Sequence, residues 1–188
     1  MTNYFLLMRY AGGLWALLML GPAEMLGQGM LPPRVEADTI VVDGGAAADD
    51  AVLRAGNFSW KTTEGTNMWL SQLPTDRLTL LVFYDPDCRD CRQMLFALRH
   101  SSAVKQRVGE RLLQVVAVDA GGNEALWETT RDELPDTWMR GLLTSDLTHC
   151  RPYDGAEVPA LFLLDADRRV MMAGQDIQTL TSLLTTLW

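Results

Sequence analysis

The sequence has no long basic run, and its 188 residues carry a net charge of −8. That argues against a nucleic-acid binder, whose target phosphates demand a basic face. Cysteine is scarce. Cys88, Cys91 and Cys150 are too few for a disulfide-stapled scaffold, and an odd number leaves one over. No uninterrupted apolar run reaches the roughly 20 residues of a membrane-spanning helix. Internal repeats are absent, so a stacked-repeat architecture is excluded too. What remains is ordinary for a globular chain, at 48% apolar and 21% charged residues. A chain this long buries a real core without metals or several disulfides.

The amino terminus reads as something other than fold. Residues 1–29 place Arg9 ahead of an apolar run from Tyr10 to Leu20, followed by small residues at Gly21, Ala23, Gly27 and Gly29. This is the layout of a secretory signal peptide. An uncleaved anchor is the alternative, although Arg9 interrupts the longer segment that begins at Phe5. No cysteine follows the apolar run to take a lipid. Residues 30–55, with two prolines, an Ala/Asp-rich patch and Gly44-Gly45, read mostly as linker, with room for one short strand at Thr39 to Val42.

Ordered structure is expected from residue 56 to 188. Phe58 to Thr62 alternates like a strand, and Thr66 to Leu73 carries a short helical stripe of Met68, Trp69 and Leu73. Leu78 to Tyr84 is apolar at every position but Thr79, as in a central strand buried on both faces. A helix is expected from Cys88, with Met94, Leu95 and Leu98 on one side and a fray near His100 to Ser102. Leu112 to Asp119 is the next strand. Glu124 to Leu134 reads as a helix, and Asp136 to Met139 as the start of another turn. Ala160 to Asp165 and Arg169 to Ala173 form a hairpin. Asp176 caps a last helix, Ile177 to Trp188, with Leu180, Leu183, Leu184 and Leu187 inward. The alternation followed by a hairpin predicts an α/β fold, a mixed sheet with helices on both faces.

The chemistry sits at Cys88-Arg89-Asp90-Cys91, between the buried strand and the helix. Cys88 falls at the first turn, where unsatisfied N–H groups and the helix dipole favour a thiolate. Cys91 follows three residues later on the same face, a separation compatible with a disulfide. The pattern points to redox exchange, with Cys88 as the exposed nucleophile and Cys91 as the shielded partner that resolves a mixed disulfide. Arg89 and Arg92 favour the thiolate, whereas Asp85, Asp87 and Asp90 oppose it. The acidic excess leans toward a reductant. Zinc is the rival reading, with His149 and Cys150 completing four ligands, but adjacent residues rarely aim at one ion. A binding module that uses the fold without turnover is a further alternative.

From Gly56 to Trp188 the chain resembles the thioredoxin-like superfamily, and especially exported TlpA-like thiol–disulfide oxidoreductases. The residues that carry the resemblance are Leu80 to Cys91 and Tyr153 to Asp165. It implies a thioredoxin-like sheet, a periplasmic location and a cis-proline loop at Pro159 facing the disulfide. It also implies that Val158 offers backbone groups to an extended substrate segment. The implied partners are disulfide-containing or dithiol proteins and a redox protein that donates or accepts electrons. No cofactor beyond the Cys88–Cys91 pair is implied, and a membrane enters only if the leader stays attached. The sequence departs from the family at three places. Asp87 replaces the usual Trp before the first cysteine, Arg-Asp replaces Gly-Pro between the cysteines, and Val82 stands where thioredoxin has a buried Asp. The proton acceptor for Cys91 is therefore unassigned. Glu157 is a candidate, though it reads better as an exposed loop carboxylate. Cys150 reads as a small buried hydrophobe, His149 as solvated, and Trp60, Trp69, Trp127 and Trp138 as core or groove residues.

Overall fold

The computed structural model describes residues 53–187 and the backbone of Ile40–Val41. The leader read at 1–29 and nearly all of the linker read at 30–55 lie outside the described residues. In chain order the elements are strands β1 (Ile40–Val41), β2 (Ser59–Thr62), β3 (Asn67–Trp69) and β4 (Leu78–Tyr84), then helices α1 (Arg89–His100) and α2 (Ser102–Gly109). Strand β5 (Leu113–Asp119), helix α3 (Glu124–Thr130), strands β6 (Met139–Leu143), β7 (Ala160–Leu164) and β8 (Val170–Gly174), and helix α4 (Ile177–Thr186) complete the fold.

One mixed sheet of eight strands runs in the order β1-β8-β7-β4-β5-β6-β2-β3. β4 pairs in parallel with β5, and β5 with β6, while β7 runs antiparallel to β4. The pleat of β4 sorts its side chains between two cores. Leu80, Val82 and Tyr84 join Cys91, Leu95 and Leu98 of α1, Val104 of α2, and Leu180 and Leu184 of α4. Leu81 and Phe83 enter the opposite core, with Phe58, Trp60, Leu70, Tyr153 and Phe162. There Tyr153 stands edge-on to Phe58 and Phe162 at 5.1 and 5.0 Å between ring centres, the arrangement that ring quadrupoles favour. With both faces covered, β4 and β5 are mostly apolar, broken only by Thr79 in β4 and by Gln114 and Asp119 in β5.

Several elements differ from expectation. Thr66 to Leu73 is not a helical stripe. It is β3 followed by a 3-10 turn at Leu70–Gln72. The tight turn at Gly65, whose φ is +80°, folds β3 back on β2 and pairs Trp60 with Met68. That hairpin leaves Trp69 43% exposed, outside the core. Residues 139–143 form strand β6, where only a turn was expected around Asp136 to Met139. Arg140 and Gly141 break its apolar run, and the strand is held by pairing to β5 and β2. Helix α1 ends at His100 because Ser101 takes an extended conformation and caps α2, accepting the Val104 N–H at 3.4 Å. In α4, Leu180 and Leu184 are buried, but Leu187 is 40% exposed.

Candidate functional site

The apolar run of β4 ends at Tyr84, and Asp85-Pro86-Asp87 carries the chain over the sheet edge into α1. Cys88 is the N-cap of that helix. Its backbone N–H donates to the Asp85 carbonyl at 3.1 Å, and its sulfur accepts the Cys91 N–H at 3.2 Å. The sulfur therefore satisfies one of the donors that every helix leaves free in its first turn. Cys88 is half-buried and Cys91 fully buried. The Cys91 sulfur accepts the Asp85 N–H at 3.4 Å. Burial, reinforced by its hydrogen bond to Cys88, pushes the Cys91 thiol up to about 12. The two sulfurs thus sit one turn apart with unequal access to solvent.

The proline loop lies at the same end of the sheet. Ala160 pairs with Phe83 across β7 and β4, and continuing that register sets Pro159 level with Tyr84, where β4 gives out. The Val158–Pro159 peptide is cis. Val158 is half-buried and packs against the same core as Cys88. Asp87, Arg89 and Asp90 are exposed around the pair. Asp87 donates its N–H to the Asp85 carboxylate at 2.8 Å, and Arg92 ties the loop by donating to the carbonyls of Pro86 and Asp87 at 2.9 and 3.1 Å.

Cys150 belongs elsewhere. It packs against the core on the other face of the sheet from Cys91, and its sulfur donates to the Asn57 carbonyl at 3.7 Å. His149 and Glu157 are exposed. Among the described residues no group of three or more His, Cys, Asp or Glu is arranged to hold a metal ion.

One buried acid near the pair was not singled out from sequence. Asp119 ends β5 opposite Tyr84 of β4 and is fully buried. One carboxylate oxygen accepts the Gly121 N–H at 2.8 Å. Among the described residues, neither the other oxygen nor the Tyr84 hydroxyl has a partner. Asp85 crowds the same turn, since a side-chain carbon built on Gly121 would lie 2.7 Å from its carboxyl carbon. Burial, opposed by the Gly121 N–H and aided by the charge of Asp85, raises Asp119 to about 6. A charged residue closing the apolar stretch Val115 to Val118 is the signal that marks it in the sequence.

No protein-family model matches the sequence, and no curated protein does. Solved structures do match. A conserved protein of unknown function from Bacteroides fragilis is 28% identical with a TM-score of 0.64, over 74% of this chain and 99% of that one. A thioredoxin-like protein from Bacteroides caccae is 24% identical with a TM-score of 0.65, over 71% of this chain and 48% of that one. This chain therefore spans about half of that protein. The thioredoxin domain of a thiol-disulfide oxidoreductase from Bacteroides vulgatus is 17% identical with a TM-score of 0.61, over 76% of this chain and 99% of that one. Strand order, the crossover through α1 and this structural likeness converge on one fold: the chain has a thioredoxin-like fold.

Proposed function

We propose that the chain is a thiol–disulfide oxidoreductase that works through Cys88 and Cys91 on disulfides of exported proteins. The observation that carries this reading is the unequal pair at the start of α1. One sulfur is reachable at the helix N-terminus, and the other is buried directly behind it. The Cys88 thiolate attacks one sulfur of a substrate disulfide. A mixed disulfide forms, and the second substrate sulfur leaves as a thiolate. Cys91 then gives up its proton and attacks the Cys88 sulfur. The substrate departs with both sulfurs reduced, and the chain keeps a Cys88–Cys91 disulfide. Two electrons have passed to the substrate, so a dithiol redox protein must restore the pair.

Val158 and Pro159 form the rim against which an extended substrate segment pairs by its backbone. Asp87, Arg89 and Asp90 set the charge around the reactive sulfur, and the acidic excess favours the reducing direction. The work needs no cofactor beyond the cysteine pair. The leader pattern at 1–29 supports export to the periplasm, where paired thiols meet an oxidising environment.

The test is reduction of insulin disulfides with dithiothreitol as the electron source. The chain is expected to accelerate precipitation of the insulin B chain, and Cys88→Ser to return the rate to the buffer background. A Cys88→Ser rate equal to the parent's overturns the proposal and leaves a peptide-binding module as the reading. Equilibration in glutathione buffers gives the potential of the couple and so its direction in the compartment.

A further inference from the structure

Helix α1 presents a second face beside the cysteine pair, and the exchange chemistry draws only on Arg89 at its start. Arg89, Arg92, Phe96 and Arg99 follow one another at helical spacing. They line a cavity of about 650 Å³ between α1 and α3, with Leu126 and Leu134 on its far wall. Neither Val158 nor Pro159 lines it.

Two features mark it as unfilled. Phe96 is 54% exposed in a helix whose other large apolar residues are buried. Among the described residues, none of the three arginines pairs with a carboxylate. Arg92 donates only to the backbone carbonyls of Pro86 and Asp87. Arg99 donates to the Glu133 carbonyl at 3.2 Å and stacks on Phe96 at 5.2 Å, while its buried Nε has no protein partner. Among the described residues, the Arg89 side chain has no hydrogen-bond or ion-pair partner. Asp87 and Glu133 also line the cavity, so the local balance is three cations to two anions in a chain whose net charge is −8.

We propose that this groove docks an acidic segment carrying an aromatic side chain, belonging to the protein with which Cys88 exchanges electrons. The proposal rests on the thiol-exchange reading. A carboxylate pairs with Arg99 and Arg92, and the aromatic ring covers Phe96 against Leu126 and Leu134. Because Arg89 directly follows Cys88, a segment lying in the groove ends beside the reactive sulfur. In a chain that otherwise repels acidic proteins, a local basic stripe selects and orients an acidic partner.

The test uses the full chain and a fluorescein-labelled decapeptide of Glu, Asp and one Trp. The peptide contains no cysteine, so thiol chemistry takes no part. Its binding is followed by anisotropy. The acidic peptide is expected to bind. Arg99→Gln and Phe96→Ser are each expected to weaken it about five- to tenfold. A rise from 50 to 500 mM salt should weaken it further, and a Lys-substituted peptide should not bind. Phe96 is exposed, so its variant keeps the fold and the test stands if Arg99→Gln does not. No binding at 1 mM, equal binding of the Lys peptide, indifference to both variants, or displacement by equimolar succinate overturns the proposal. A null result in insulin reduction, with peptide binding intact, refutes the exchange reading and leaves the groove itself standing.

Discussion

Asp119 offers the sharpest test of the physical reading. The carboxyl group is buried at the end of β5, one oxygen bound to the Gly121 N–H and the other without a protein partner. Its pKa rises from 3.8 to about 6. The folded protein thus holds this proton more tightly than the unfolded chain does. Its contribution to stability is fully present below pH 3.8 and is lost as pH rises through about 6. The difference of roughly 2.2 units corresponds to about 3 kcal/mol at 1.36 kcal/mol per unit, an upper bound for a single buried group. Asp119→Asn keeps the oxygen that accepts from Gly121 and removes the charge. It introduces a buried amide with unmet donors, which returns about 1–2 kcal/mol. The expected result is a variant more stable than the parent by about 1–2 kcal/mol at pH 8 and no more stable at pH 3.5. Urea unfolding followed by tryptophan fluorescence at both pH values measures it. A variant less stable at pH 8, or a difference that does not change with pH, would refute a destabilising carboxylate at this position.

Two further expectations follow from the same geometry. Because the Cys91 thiol is pushed up to about 12 and buried, iodoacetamide at pH 8 should label Cys88 at least about a hundredfold faster than Cys91. Peptide mapping by mass spectrometry reads the ratio, and comparable rates would contradict the shielded-partner assignment. At Gly141 of β6 an added methyl carbon would lie 2.1 Å from the Trp60 ring and 2.9 Å from the Lys61 carbonyl. Gly141→Ala should therefore cost about 1–3 kcal/mol in denaturant unfolding. An unchanged midpoint would mean that Trp60 can move aside.

What was legible in the sequence was whatever depends on local pattern. The six apolar residues of β4, broken only by Thr79, announce a strand buried on both faces, and the structure covers both. Cys88 was placed at the opening of a helix by the stop at Asp85-Pro86, and it is the N-cap. The Asp176 cap was equally readable, since its carboxylate accepts two first-turn N–H groups. Elements held by distant pairing were not readable. β3 looks helical in isolation because Met68, Trp69 and Leu73 share a helical period, yet the turn at Gly65 commits the segment to β2. β6 has too few apolar residues to declare itself and depends on β5. Asp119 escaped for a related reason, because its burial arises from Tyr84 and Asp85, which lie more than thirty positions away in the chain. The stripe of Arg89, Arg92, Phe96 and Arg99 could have been read from helical spacing alone, but only the opposing wall from Leu126 and Leu134 makes it a groove.

The position of Cys150 matters for how the molecule ages. Its sulfur packs beneath the aromatic cluster, while Cys88 and Cys91 belong to the layer beneath the helices. The sheet between them insulates one thiol from the other two. Any disulfide that joins Cys150 to Cys88 or Cys91 therefore requires the fold to open.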